Sequence, residues 1–114
     1  MSESAIRTDT DRIRLLNDNF RSTLIGGQIV MTSEVAELPL DVKAHVLLNV
    51  QRFTDFNADN DPHGEHDCGS FEFGGVSYLF KIDYYSPELD GGSEDPADPE
   101  KTARVLTIMR ADEY

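Results

Sequence analysis

Apolar residues recur at helical spacing near the start of the chain and again in its middle. Ile6, Ile13, Leu16 and Phe20 share one face of a helix predicted over residues 4–22. The basic residues predicted on its other side are Arg7, Arg14 and Arg21. A second helix is predicted over residues 40–53, with a buried stripe of Leu40, Val46, Leu47, Val50 and Phe53.

Alternation of polar and apolar residues predicts strands in other segments. Residues 28–32 predict a short strand, residues 70–85 a β-hairpin, and residues 103–110 a last strand. Gly74 and Gly75 supply the positive φ angles that a two-residue hairpin turn requires. The order of elements predicts a single α+β domain, with an antiparallel sheet of about four strands and two helices packed on one face.

The segments that lack this patterning are acidic loops. Residues 54–69 and 86–100 are rich in Asp, Gly and Pro, and the second is predicted to be mobile. The net charge of the chain is −12. Residues 54–100 contain thirteen acidic residues and a single Lys or Arg, Lys81. This one segment therefore accounts for the whole net charge of the chain.

This charge distribution excludes some classes of partner and favours others. Nucleic acids and anionic membranes bind clustered Lys and Arg, so neither is expected as a direct partner. A basic protein surface or a hard cation is favoured instead. The sequence contains no long apolar run or signal-peptide pattern, and its single cysteine, Cys68, cannot form an internal disulfide. We therefore expect a soluble cytoplasmic protein.

The segment Asn60–Asp67, NDPHGEHD, is the densest collection of metal-ligating residue types. The candidate ligands of a divalent metal such as Zn²⁺ or Mn²⁺ are Asp61, His63, His66 and Asp67. Pro62 and Gly64 argue against a helix that would place both imidazoles on one face. The alternative interpretation is a turn in which Asp and Asn side chains cap backbone N–H groups, with no cofactor bound.

Several sequence blocks of the chain are specific enough to suggest a family. They are Leu15–Phe20, Asn60–Asp67, Lys81–Tyr85, Asp95–Pro99, Arg104–Met109 and the closing Glu113–Tyr114. Together they resemble the family called domain of unknown function 3768 over nearly the whole chain. The resemblance implies small proteins of alphaproteobacteria, often carried on plasmids and other mobile elements. It implies no assigned activity, so no catalytic residue can be transferred.

Two functional hypotheses follow from these observations. The first is a non-enzymatic binding protein whose acidic face docks on a basic protein. Its sharpest form is a nucleic-acid mimic that inhibits a nucleic-acid-binding defence enzyme of the host, as an anti-CRISPR or anti-restriction protein does, since spaced carboxylates can imitate phosphates. The predicted partner-binding residues are Asp59, Asp61, Glu65, Asp67, Asp83, Tyr85, Glu88, Asp90, Glu94, Asp95 and Asp98.

The second hypothesis is a metal-dependent enzyme or metal-binding protein that uses the NDPHGEHD segment. Metal-assisted hydrolysis needs a metal-bound water and a positioned base, and acidity alone identifies neither. The sequence has no phosphate-binding P-loop, no dinucleotide-binding glycine set and no GxSxG nucleophile elbow. Enzyme activity is therefore the less favoured hypothesis.

Overall fold

The computed structural model describes residues 8–114, which form a four-stranded sheet with helices on one face. The elements in chain order are α1 (Asp9–Thr23), β1 (Gly27–Met31), α2 (Ser33–Ala36), α3 (Leu40–Arg52), β2 (Cys68–Phe73), β3 (Val76–Tyr85) and β4 (Ala103–Arg110). The predicted α+β fold is confirmed. The part of the first predicted helix over residues 4–7, including Ile6, lies outside the described residues.

The sheet has the strand order β1-β4-β3-β2 and is mostly antiparallel. β2 pairs with β3, and β3 with β4, in antiparallel fashion, as the sequence predicts. β1 instead runs parallel to β4, so the predicted antiparallel sheet is mixed at this one edge. Side chains alternate with the same period in parallel and antiparallel strands, so the sequence pattern does not distinguish the two. The parallel pairing is possible because a long crossover through α2, α3 and the hairpin separates β1 from β4.

The core lies between the helices and one face of the sheet. The fully or nearly fully buried residues there are Phe20, Val35, Val46, Val50, Tyr78, Phe80, Ile82, Leu106 and Ile108. Val46 and Val50 confirm the predicted stripe of α3, whereas Leu40 is 81% exposed. Leu40 is the first residue of α3 and lies beyond the part of the helix that packs on the core. We call the opposite side of the sheet, which presents Lys81, Asp83 and Thr107, the open face.

Side chains cap the N-terminus of α1 and the C-terminus of α3. Thr8 accepts a hydrogen bond from the backbone N–H of Asp11, whose carboxylate in turn accepts from the N–H of Thr8. Arg21, predicted on the outer side of α1, is only 4% exposed. Its guanidinium donates to the carbonyl oxygens of Val50 and Phe53, at 3.0 and 2.8 Å, and so satisfies the C-terminal end of α3.

The helices can also be compared with the length that a bilayer demands. Among those described in residues 8–114, none combines the length and the apolar character of a membrane span.

The close approach of β2 to α3 gives a first prediction. A Cβ atom at Gly69 would lie 2.6 Å from Phe53 Cε2 and 2.8 Å from Phe80 Cε2. Because both rings are packed in the core, we expect Gly69→Ala to lower the free energy of unfolding by about 1–3 kcal/mol in urea denaturation. Gly91→Ala is the control, since a Cβ atom there meets nothing within 4 Å. An equal effect at both positions would contradict this account.

Candidate binding surface at the acidic end of the sheet

The two acidic loops lie at the same end of the sheet. Residues 86–102 connect the last residue of β3, Tyr85, to the first residue of β4, Ala103, and these two residues are paired. Residues 54–67 lead into β2, and the carbonyl oxygen of Asp67 accepts a hydrogen bond from the N–H of Ile82 near the end of β3. We call these two loops together the acidic end.

Six carboxylates are exposed at the acidic end: Asp55, Asp59, Glu88, Asp90, Glu94 and Glu100. Lys101 is the single lysine or arginine in the two loops, and it lies 3.5 Å from Glu94. Asp55 and Glu100 are absent from the set predicted from sequence. Their position within the same acidic loops was the signal that could have added them.

Other carboxylates of the predicted set are engaged inside the protein. Asp61 is 8% exposed, and its Oδ1 atom accepts hydrogen bonds from the backbone N–H groups of Glu65 and His66. Glu65 accepts a hydrogen bond of 2.8 Å from the hydroxyl of Tyr84. These two acids therefore shape the loop over residues 54–67, and the charge offered to a partner comes from their exposed neighbours.

Hydrogen bonds within residues 86–102 give that loop its shape. Asp98 accepts from the N–H of Glu100 at 2.9 Å, and the hydroxyl of Thr102 donates to the carbonyl oxygens of Asp95 and Asp98. Asp95 also accepts from the N–H of Ala97. Asp95 and Asp98 are partly buried by this arrangement. The predicted mobility of the loop stays a prediction.

Asp83 and Tyr85 lie on the open face beside the acidic end. Asp83 pairs with Lys81 at 2.9 Å, and this contact raises the pKa of Lys81. Tyr85 is 37% exposed. The charge of Asp83 is therefore largely compensated, and Tyr85 is the more available of the two for contact with a partner.

A buried polar cluster that the sequence reasoning missed attaches both loops to the sheet. Asn17 is fully buried on α1, and its Nδ2 atom donates to the carbonyl oxygen of Glu65 at 3.0 Å and to the Tyr84 hydroxyl at 2.8 Å. Its Oδ1 atom accepts from Arg104 Nε at 2.8 Å. Arg104 also donates to the carbonyl oxygen of Pro96. The available signal was a polar residue, Asn17, within the apolar face of an amphipathic helix.

Burial sets the ionisation of this cluster. Removal from water raises the pKa of Tyr84 far above its ordinary value and lowers that of Arg104. Arg104 is 3% exposed, and its guanidinium carbon lies 5.2 Å from the centroid of the Tyr84 ring. The neutral phenol is thus a hydrogen-bond donor to Glu65 and an acceptor from Asn17.

Two of the candidate metal ligands approach each other, because His66 Nε2 lies 3.8 Å from Asp61 Oδ2. His66 Nδ1 lies 2.8 Å from Asp18 Oδ1 on α1, and its ring stacks on Phe56 with centroids 3.9 Å apart. Asp61 serves the backbone, as described above, and His63 is exposed. Within residues 8–114, no group of three or more His, Cys, Asp or Glu side chains is placed to hold a metal ion. Asp61, His63, His66 and Asp67 are therefore not assembled into such a group.

Residues 31–113 match the family described as a protein of unknown function, DUF3768. The chain belongs to the DUF3768 family. Its block Leu15–Phe20, which contains Asn17, precedes the matched residues, whereas Tyr84 and Arg104 lie inside them. No curated protein and no solved structure matches the chain. Membership of DUF3768 assigns no activity, so the functional argument rests on the surface described above.

The buried cluster predicts a specific cost for removing one hydroxyl group. Tyr84→Phe removes the acceptor of one Asn17 N–H and the hydroxyl donor to the Glu65 carboxylate, and we expect the free energy of unfolding to fall by about 1–3 kcal/mol in urea denaturation. Tyr85→Phe is the matched control, because its hydroxyl has no hydrogen bond within residues 8–114. Equal stability of the Tyr84→Phe variant and the wild type would contradict the proposed role of the cluster.

Asp67 predicts a dependence of stability on pH. Burial, and then the charges of Glu65 and Asp61, raise the pKa of Asp67 above its ordinary value of 3.8. The folded protein holds this proton more tightly than the unfolded chain, so the stabilisation is complete below the unfolded pKa and is lost as the pH rises through the folded pKa. We therefore expect Asp67→Asn to unfold at higher urea concentration than the wild type at neutral pH, with no such gain near pH 3.

The control for Asp67 is Asp59→Asn, which removes the same charge at an exposed position of the same loop. We expect it to change the free energy of unfolding by no more than about 0.5 kcal/mol at either pH. A gain at neutral pH that is equal in the two variants would attribute the effect to net charge and contradict the role of burial.

Proposed function

We propose that this DUF3768 protein is a cytoplasmic, non-enzymatic binding protein whose acidic end docks on a basic surface of another protein. The observation that carries this proposal is the meeting of two acidic loops, separated in sequence by a hairpin, at one end of the sheet. The two loops have six exposed carboxylates and a single Lys or Arg of their own, Lys101, which lies 3.5 Å from Glu94. Such a concentration of one sign of charge accelerates association with an oppositely charged surface and rejects surfaces of the same sign.

The way in which the acidic end is built supports docking without a large ordering cost. Asp61 and Glu65 fix the loop over residues 54–67, and Thr102 fixes the loop over residues 86–102. Both loops are attached to the sheet through partly buried hydrogen bonds, from Tyr84 to Glu65 and from Arg104 to the carbonyl oxygen of Pro96. A surface whose loops are already shaped loses less conformational entropy on binding, so more of the charge attraction contributes to affinity.

The partner class that fits this chemistry is a protein that binds nucleic acid. The Lys and Arg clusters that recognise phosphates on a duplex would recognise a set of spaced carboxylates in the same way. A host defence enzyme that binds DNA, inhibited as by an anti-CRISPR or anti-restriction protein, is one such partner. The mobile-element setting implied by the family resemblance supports this choice by association.

The test is affinity capture from a natural host lysate with the tagged chain, followed by competition with duplex DNA. We expect capture of a nucleic-acid-binding protein that is released by added duplex and by raised salt, because the attraction between exposed charges is screened. With the captured partner purified, the triple variant Glu88→Gln, Asp90→Asn and Glu94→Gln should bind at least about tenfold more weakly, which corresponds to about 1.4 kcal/mol.

The matched control neutralises three exposed carboxylates outside the acidic end, with Glu37→Gln, Asp41→Asn and Glu72→Gln. It has the same net charge as the triple variant, and we expect it to bind as the wild type does. If both variants bound the partner equally weakly, net charge alone would explain the loss of affinity, and a docking site at the acidic end would be contradicted. Binding that survives competition by duplex DNA would contradict nucleic-acid mimicry.

A further inference from the structure

The outer edge of β1 lacks the features that keep a sheet edge from pairing. Residues 23–32, TLIGGQIVMT, contain neither a charged residue nor a proline, in a chain of which 28% is charged. Natural edge strands are guarded by charges, by proline or by bulges, because their free N–H and C=O groups otherwise pair with another strand. The other edge of the sheet, β2, carries Glu72 and directly follows an acidic loop. The β2 edge is therefore protected by negative charge, whereas the β1 edge is not.

The register of β1 shows which backbone groups face outwards. Thr32 donates its N–H to the carbonyl oxygen of Ile108 on β4, so this N–H points into the sheet, whereas the carbonyl oxygen of Thr32 accepts from the N–H groups of Val35 and Ala36. Because direction alternates along a strand, the N–H and C=O groups of Gln28 and Val30 also point inwards, and those of Ile29 and Met31 point to the outer edge. Within residues 8–114, the outward groups of Ile29 and Met31 have no hydrogen-bond partner.

The side chains beside this edge are exposed and apolar or uncharged. Val30 is 42% exposed and Ile25 is 75% exposed. Alternation places Gln28 and Val30 on the open face, whereas Ile29 packs towards the core on the helix side. A second strand along this edge would thus meet a continuous uncharged surface.

We propose that two copies of this chain pair through their β1 edges, antiparallel and related by a two-fold axis at Ile29, to join their two four-stranded sheets. The N–H and C=O groups of Ile29 then bond those of Ile29 in the second copy. The same axis places Gly27 opposite Met31 of the second copy, and Gln28 opposite its Val30. Such a contact is self-complementary, as two-fold symmetry requires.

The charge distribution favours the antiparallel orientation of the two copies. Gly27, the first residue of β1, is paired with Arg104, so β1 begins at the acidic end of the sheet. Antiparallel pairing of the two β1 strands therefore puts the two acidic ends at opposite ends of the joined sheet. Only the uncharged residues 23–32 meet at the centre. The acidic loops of the two copies therefore do not face each other, and salt screens the repulsion that remains between charges more than roughly 10 Å apart.

The test uses the predicted pairing of positions 28 and 30. In the double variant Gln28→Lys, Val30→Lys, each new lysine faces a lysine of the second copy, and like charges directly opposite each other on neighbouring strands repel. In Gln28→Lys, Val30→Glu, each lysine faces a glutamate. We expect sedimentation at increasing concentration to give twice the monomer mass for the wild type, the monomer mass for the Lys/Lys variant, and twice the monomer mass again for the Lys/Glu variant.

Circular dichroism checks that each variant is folded, and Ser70→Lys on the β2 edge is the control, expected to keep the wild-type mass. A wild type that stays monomeric at every concentration overturns the proposal and leaves the β1 edge to a strand of a different protein. Dimers that persist in the Lys/Lys variant place the contact elsewhere and overturn it equally. A Lys/Glu variant that is folded but monomeric overturns the two-fold register at Ile29.

Discussion

Asn17 joins four segments of the chain at one buried point, and the arrangement of the acidic loops depends on it. Its side chain donates to the loop before β2 and to Tyr84 of β3, and it accepts from Arg104 of β4. A buried amide is stabilising only when its donors and its acceptor are all bonded, because each unbonded group keeps its desolvation cost. Asn17 meets this condition with partners from three other segments, so the cluster specifies how α1, the sheet and the loop fit together.

The same cluster separates two kinds of acidic residue. Asp61 and Glu65 direct their oxygens inwards to backbone and hydroxyl donors, whereas Glu88 and Asp90 are exposed. A carboxylate can be partly buried at modest cost when hydrogen bonds replace its water, and this explains how a chain of net charge −12 accommodates acids inside its fold. The acids inside the fold hold the shape of the loops, and those outside supply the charge that our proposal assigns to binding.

Charge is also distributed unevenly across the sheet. The end at which β3 stops carries both acidic loops, while the outer edge of β1 carries no charge over residues 23–32. Charged docking surfaces gain from long-range attraction, and uncharged strand edges gain from backbone hydrogen bonds over short distances. A single small domain thus presents two surfaces whose physical chemistry is different, and each can be altered by substitution without touching the other.

The local pattern of the sequence determined the type of almost every element, since residue period and turn chemistry are local properties. The strand predicted over residues 103–110 coincides with β4, and the net charge was correctly confined to residues 54–100. The tertiary structure alone decided the parallel pairing of β1, the burial of Arg21 and the joining of Asn17, Tyr84 and Arg104. These depend on contacts between residues far apart in the chain. The spacing of apolar residues predicts a strand, but it does not predict which strand pairs with it or in which direction. It also predicts that a polar residue is exposed, even where residues distant in the chain satisfy its hydrogen bonds.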